Sequence, residues 1–485
     1  MHLNRKTAVL GATLASAALT LSVLPVAADS HLVPGVPETP TGYAELDLSL
    51  GEDQPYAGSR VTMQTQWVGG EGDSFRDAVT AYSEASGIQI DIAEVPSGQH
   101  ETLVNVSLNG GAAADVIQLA QPAAIISYGE AGQILELSSI LDVEKLGSEQ
   151  PALSAYSTAD GGVWAIPYRV DTNSVVWYPI KAFEDRGYAV PTTWDELIAL
   201  SDQIIADGEG APWCLGIDAG PATGWIATDW LEDVMLRTAG IDAYNAWVTH
   251  DLLFNSPEVK NAMDIVGQIF FTDGYVLGGS TAILATSQVD PMDPMFNDDT
   301  MNPGCWMQRQ ATWYGPDFFP DAKAGDGTSQ YVIGEDIGLF YLPPIDPAQG
   351  APLLGAGDGL MVTADRPEVR AVAQFLATPA GAENWIKGVG MTSANSTTPA
   401  EWSAGNYKLE TAANIVANAT SLSFDASDLM PASVGAGSFW NEMVNWIADG
   451  GENTEARLQA IDDSWPTESP GLPDRVTQAL SLIHI

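Results

Sequence analysis

An α/β fold built on a parallel sheet is the class this sequence predicts, on three observations. From Arg60 onward, short alternating runs and helical runs take turns as β-α-β-α-β. A long extended run with a polar centre, Tyr168 to Tyr178, follows a hairpin-like approach from Gly161 to Pro167, as a strand crossing between two lobes would. From Ala380 to Trp465 the pattern is almost wholly helical.

Each element has a local reason. His2, Arg5 and Lys6 precede an apolar run from Ala8 to Val23, and Val26-Ala27-Ala28 closes with small residues before Asp29. That is a secretory signal peptide over 1–28, cut near Ala28. The run is short and Ala-rich for a membrane span, and no Cys stands at the cut to carry a lipid. Residues 29–59 contain Pro, Gly and Glu without a period and read as a flexible acidic arm. Val61, Met63, Thr65 and Trp67 alternate with polar neighbours as a first strand from Arg60 to Val68, broken by Gly69 to Asp73. Ser74 is then placed to cap a helix with Phe75, Val79 and Tyr82 on one face, ended by Gly87. Ile88 to Val95 reads as a strand, Leu103 to Leu108 as a helix, Asp115 to Leu119 as a short buried strand, and Gln121 to Gly129 as another helix start. The succession implies helices on both faces of a parallel sheet. Thr193 with Glu196 three residues on is a capping box opening a helix toward Ile205, and a further helix covers Trp225 to Ala239. Ile337 to Leu342 and Leu360 to Val362 read as strands and Pro367 to Leu376 as a helix, with no internal repeat of fixed period.

The chain of 485 residues is long enough for two or three domains with well-covered cores. Its 45% apolar content and mean hydropathy of +0.01 are those of a globular protein. The charge is unusual: 18 basic residues face 63 acidic ones, a formal −45. Such a surface repels nucleic acid and anionic lipid and reads as a solvated coat, although it would also suit a polyamine cargo. The two cysteines, Cys214 and Cys305, both sit in Pro-containing loops; in an oxidising compartment they read as a disulfide, with two separate buried thiols as the alternative.

Catalytic signatures are missing. The five histidines stand at 2, 31, 100, 250 and 484, and His100-Glu101 is not followed by the second histidine of a zinc helix. Gly435-Ala436-Gly437-Ser438-Phe439 displaces the serine of a nucleophile elbow. Gly355 to Gly359 opens into a strand rather than a helix, and Asp290 to Asp299 lacks the glycine and terminal glutamate of a calcium loop. No cofactor or metal site is read. Abundant carboxylates leave a secreted carboxylate-dependent glycoside hydrolase or lyase as the alternative function. What the chain does have is 15 tryptophans. Trp67, Trp177, Trp225, Trp230, Trp306, Trp313 and Trp440 lie near segment ends, where a cleft would form. Indole faces stack on the C–H faces of sugars, while carboxylates and amides take their hydroxyls.

A set of blocks carries a resemblance: Trp67-Val68-Gly69-Gly70, Ala85-Ser86-Gly87-Ile88, Trp164 through Arg169, Val176-Trp177-Tyr178, Pro191 through Leu197 and Pro212-Trp213-Cys214. Gly224 through Trp230, Pro303-Gly304-Cys305, Phe424 through Pro431 and Gly437-Ser438-Phe439-Trp440 complete it. With these, the stretch from Arg60 to Pro466 resembles extracellular solute-binding protein family 1, the maltose-binding-like receptors of ABC importers, and within it the alpha-glucoside-binding branch. The resemblance implies a two-lobed type II periplasmic-binding-protein fold with a ligand cleft between the lobes and a helical C-terminal part. By matching segments, lobe one takes 60–170 plus 337–376, lobe two takes 171–336 plus 377–475, and 476–485 is a tail. A periplasmic, monomeric binding protein rather than an enzyme is implied, without cofactor or metal. It would close on an alpha-glucoside or similar oligosaccharide and deliver it to ABC transporter permease subunits. The site residues carried over are Trp67 and Glu71 after the first strand, Gln118 and Gln121 after the third, and Asp171 at the first hinge. Trp225 and Asp229 begin a lobe-two helix, Gln310 and Trp313 follow the Cys305 loop, Asp358 lies in the glycine turn, and Trp440 faces the cleft from the C-terminal helices. Carboxylates and glutamines would bond hydroxyls while Trp225, Trp313 and Trp440 stack. The arm before Arg60 is longer and more acidic than the resemblance leads one to expect.

Overall fold

The alternation that begins at Arg60 becomes a six-stranded sheet. The computed structural model describes residues 33–151, 157–159, 161–296, 301–320 and 329–467, so the expected signal peptide and the tail at 476–485 lie outside the described residues. Strands β1 (Arg60–Thr65), β2 (Gln89–Glu94) and β3 (Val116–Leu119) run parallel, with Arg60 opposite Gln89 and Met63 opposite Val116. A short hairpin, β4 (Thr158–Ala159) with β5 (Gly162–Val163), stands apart from this sheet. β6 (Ile166–Thr172) is the first strand of the long extended run, and β7 (Val175–Pro179) continues it into a different sheet. That second sheet has the order β10-β7-β9-β8, from β8 (Ala211–Trp213), β9 (Cys305–Arg309) and β10 (Ile337–Tyr341). β11 (Pro352–Val362) is long enough to pair with β12 (Ser421–Phe424), β6 and β3 along its length, closing the first sheet.

Two large apolar cores result, one per lobe. Val61, Met63 and Val116 of the first sheet pack with Phe75, Val79 and Tyr82 of the helix Gly70–Ser86 and with Val369, Val372 and Phe375 of the helix Pro367–Leu376. The second core centres on the helix Trp225–Thr238, which is buried almost throughout, with Trp213, Trp230, Trp247 and Trp446 around it. Each such side chain removes roughly 150–250 Å² from water, a large share of the burial that holds the lobe together. Cys214 and Cys305 are bonded, with Cα atoms 5.3 Å apart. The bond ties the end of β8 to the start of β9, where the two strands already pair in parallel.

The structure departs from expectation at four places. The helix expected from Ser74 starts at Gly70, because Gly69 adopts a φ of 58° and turns the chain directly into it. The stretch expected to be a flexible arm carries a helix, Ala44–Leu50, whose Leu46 is buried in the first core along with Tyr43. That helix is fastened by Gln374, which accepts from the Leu46 amide at 2.9 Å and donates to Glu45 at 2.8 Å. Between the expected lobe boundaries, β10 sits in the second lobe's sheet, whereas Ala380, Trp385, Ile386, Trp402 and Leu409 pack into the first core. Finally, the C-terminal part is interrupted by β12, a strand too short to show a period in sequence.

Candidate ligand-binding site

Between the lobes lies a cavity of about 450 Å³, and each of its walls is set by element ends. On the first-lobe side, β1 runs out into Gln66, Val68 and Glu71, β3 into Ala120 and Gln121, and the helix Ser97–Gly110 presents Ser97, Gly98 and Glu101. β6 contributes Arg169 and Asp171, and β11 contributes Asp358 across from Arg169 in the ladder. The second-lobe side offers the loop Asp218 to Ala222, Trp225, Gln288, Trp313, Phe318, Asp425, Ser427, Asp428 and Trp440.

Arg169 organises the first wall. Its guanidinium is paired with Glu71, lies 2.6 Å from Asp358 and 3.1 Å from Asp171, and stacks 5.6 Å from the rings of Trp67 and Trp385. Burial alone would push this guanidinium down, but Asp358, Asp171 and Glu71 outweigh it and hold the charge. Burial raises Glu71 to about 7 against the pull of Arg169, and raises Asp171 in the same way. Gln118 donates to Asp358 at 2.6 Å and accepts from the Gln66 amide at 2.8 Å, so it fixes both lining residues from behind.

The second wall stands on a buried acidic stack. Asp229 accepts from Asn173 at 3.0 Å and from Arg309 at 3.1 Å, while Asp233 takes Arg309 at 2.8 Å and is also paired with Arg237. Glu232 accepts from the amides of Ala426 and Ser427 at 2.9 and 3.1 Å, holding the start of the short helix Ala426–Leu429. Burial, reinforced by Asp425, raises Asp229, Glu232 and Asp428 well above the carboxylate range. Asp229, Glu232 and Asp425 bring oxygens within 4.8 Å of one another, the spacing of a cation's ligands. Both Glu232 oxygens are already taken by backbone amides, so a cation there would compete with the contacts that hold the start of the helix Ala426–Leu429.

Aromatic faces complete the cavity. The rings of Trp225 and Trp313 lie 6.2 Å apart. Trp440 follows a π-helical turn, Val434–Phe439, and its indole donates to Ser427 at 3.2 Å while Ser427 donates to Asp425 at 2.8 Å. Gly224, at φ 126°, lets the helix Trp225–Thr238 start directly against Trp440, where an added Cβ would come 2.6 Å from the Trp440 carbonyl oxygen. The lobes also touch across the cavity mouth. Gln288 donates to Ser97 at 3.1 Å, and a Cβ at Gly98 would lie 2.0 Å from the Ala219 carbonyl oxygen.

Seven of the residues expected from sequence line this cavity: Glu71, Gln121, Asp171, Trp225, Trp313, Asp358 and Trp440. The other four lie behind it. Trp67 is wholly buried between Phe75, Tyr168 and Trp385, with ring centroids at 4.7, 5.6 and 4.9 Å. Gln118 and Asp229 hold lining residues in place, and Gln310 is buried with its amide oxygen on the Ala311 amide at 2.9 Å. Arg169, Asn173, Asp425 and Asp428 line the cavity without having been singled out from sequence. Arg169 and the two aspartates stand inside blocks that carried the resemblance, so the signal was present but spread over whole blocks. Asn173 lies in the polar centre of the crossing run.

Residues 68–384 match the family described as bacterial extracellular solute-binding protein. The alpha-glucosides-binding periplasmic protein AglE of Rhizobium meliloti (strain 1021) is 34% identical over 449 residues, covering 90% of this chain and 93% of that protein. The osmoprotective compounds-binding protein GgtB of Synechocystis sp. is 34% identical over 412 residues, 84% of this chain and 92% of its own length. Among solved structures, the bacterial solute receptor AcbH, reported to prefer β-D-galactopyranose, matches 84% of this chain and 98% of its own with a TM-score of 0.70. At 16% identity, that likeness is one of fold.

Proposed function

This chain belongs to the bacterial extracellular solute-binding proteins, a family of binding proteins rather than enzymes, and from that premise we propose that it is the sugar-capturing component of an ABC importer. The protein is exported, is cut near Ala28, and works in the periplasm as a monomer. It holds an alpha-glucoside or similar oligosaccharide between its lobes and passes it to the permease. The observation that carries this reading is the makeup of the cavity: Trp225, Trp313 and Trp440 provide stacking faces, and Glu71, Asp171, Asp358, Asp425 and Gln121 provide hydroxyl partners. The relatives named for alpha-glucosides and for osmoprotective compounds support it, each at 34% identity over most of its length. Ligand that touches both walls favours the closed arrangement, because it gains contacts there that an open cleft withholds.

The test is a panel of maltose, trehalose and sucrose, with amino acids and peptides as controls, read by tryptophan fluorescence and calorimetry on protein starting at Asp29. At least one alpha-glucoside should shift the fluorescence and be recovered intact after incubation. A response to amino acids or peptides alone overturns the cargo, and recovery of cleaved sugar overturns the binding-only role.

A further inference from the structure

The cavity carries a charge imbalance that goes past recognition of hydroxyl groups. Arg169 is the one cation among the described residues that line it, and Glu71, Asp171 and Asp358 all engage that guanidinium. Four further carboxyl groups, Glu101, Asp218, Asp425 and Asp428, line the remainder; none pairs with a lysine or arginine among the described residues, and although burial pushes Glu101 and Asp428 toward the protonated form, none of the four can supply a positive charge. Lys408 lies behind Asp171, outside the cavity lining; it is buried, and its ammonium donates to the Tyr314 carbonyl at 3.4 Å.

Several donors that line the cavity are also committed within the protein. The Asn173 amide nitrogen is held by Asp229, the Trp440 indole by Ser427, and the Ser427 hydroxyl by Asp425. The remaining donors of the lining, among them the Gln66 and Gln99 amides and the Trp225 and Trp313 indoles, are uncharged, so they can meet a sugar hydroxyl but bring no charge to balance an anion. An anionic ligand brings further acceptors and a like charge into a space of low dielectric, where such repulsion is strongest.

We propose that this site admits uncharged, hydroxyl-rich sugars and rejects sugar phosphates and sugar acids, the selection resting on the absence of an uncommitted cation in its walls. The inference rests on the sugar reading above and deepens it. Exclusion acts at the binding step, so the importer would take up free glycosides and leave phosphorylated ones outside.

The experiment compares three forms of one sugar at pH 7.5 by calorimetry: trehalose, its 6-O-methyl ether and its 6-phosphate, with sucrose and its 6-phosphate as a second set. The expected result is binding of a neutral sugar, a modest loss for the methyl ether, and a phosphate at least 100-fold weaker than the neutral parent. In Glu101→Gln the ratio between neutral sugar and phosphate should narrow several-fold. A phosphate that binds within threefold of its parent overturns the proposal, as does a methyl ether as weak as the phosphate, since size would then explain both. If neither neutral sugar binds while an amino acid or peptide does, the sugar reading fails and this inference falls with it.

Discussion

The two walls of the cavity bury acid in opposite ways. On the first-lobe side three carboxylates converge on Arg169, so a single fixed cation takes most of the strain, and Glu71 rises only to about 7. On the second-lobe side Asp229, Glu232, Asp233, Asp425 and Asp428 share two guanidiniums, Arg237 and Arg309, both of which reach Asp233. Glu232 and Asp428 have no cation partner among the described residues, and they rise well above the usual range together with Asp229. One lobe thus gathers its buried acid around a single arginine, while the other leaves Glu232 and Asp428 without a guanidinium, burial pushing both toward the protonated form. Glu71, at about 7, shows that the first arrangement titrates as well.

Removing the cation should break the comparison most severely. Arg169→Met leaves three buried carboxylates without their paired guanidinium, and a broken buried ion pair costs about 3–5 kcal/mol. Urea unfolding should show the loss; an unchanged midpoint would mean that the knot does not hold the first lobe. The disulfide comes next, because it spans a sequence separation of 91 residues that includes the central helix of the second lobe. The double variant Cys214→Ala, Cys305→Ala should lose about 2–5 kcal/mol. A melting temperature equal to that of the parent would show that the strand pairing of β8 with β9 suffices alone.

The smallest effect is the pH response, and it sharpens the contrast between the lobes. A carboxyl whose folded pKa is raised binds more protons folded than unfolded, so its contribution to stability is full at acid pH and fades as pH rises through the folded value. Glu71, raised to about 7, and the more strongly raised Asp229, Glu232 and Asp428 therefore predict a protein that melts higher near pH 5 than near pH 8. Asp428→Asn should flatten that slope, because it removes one of the groups that take up a proton on folding. A slope in the opposite sense, or one that Asp428→Asn leaves untouched, would remove the proton from the account of the second wall.

Sequence reading reached the first sheet because its strands and helices are local and well punctuated. Gly87 ends a helix and Thr193 with Glu196 opens one, and both do so in the structure. It erred where long-range packing decides. Ala44–Leu50 has no strong period and is fixed by Gln374, more than 300 residues away. The tryptophans show the same limit. Trp67, Trp177, Trp230 and Trp306 lie near segment ends, as Trp225, Trp313 and Trp440 do, yet the first four are wholly buried in the cores. An indole beside a glycine or aspartate looks the same in sequence whether it faces a cavity or a neighbouring helix. Resemblance brought several of these residues to the cavity wall, but it could not tell a lining residue such as Asp358 from Gln118, which holds that residue from behind.

Gly98 makes the seam between the lobes a matter of a single atom. Opposite it stands a backbone carbonyl, not a side chain able to swing away, and the space between admits hydrogen but no carbon. The smallest possible side chain at this position would act as a doorstop. How closely the two halves meet, and hence how tightly the chamber can be shut against water, is gauged by a residue that need not touch whatever the chamber holds.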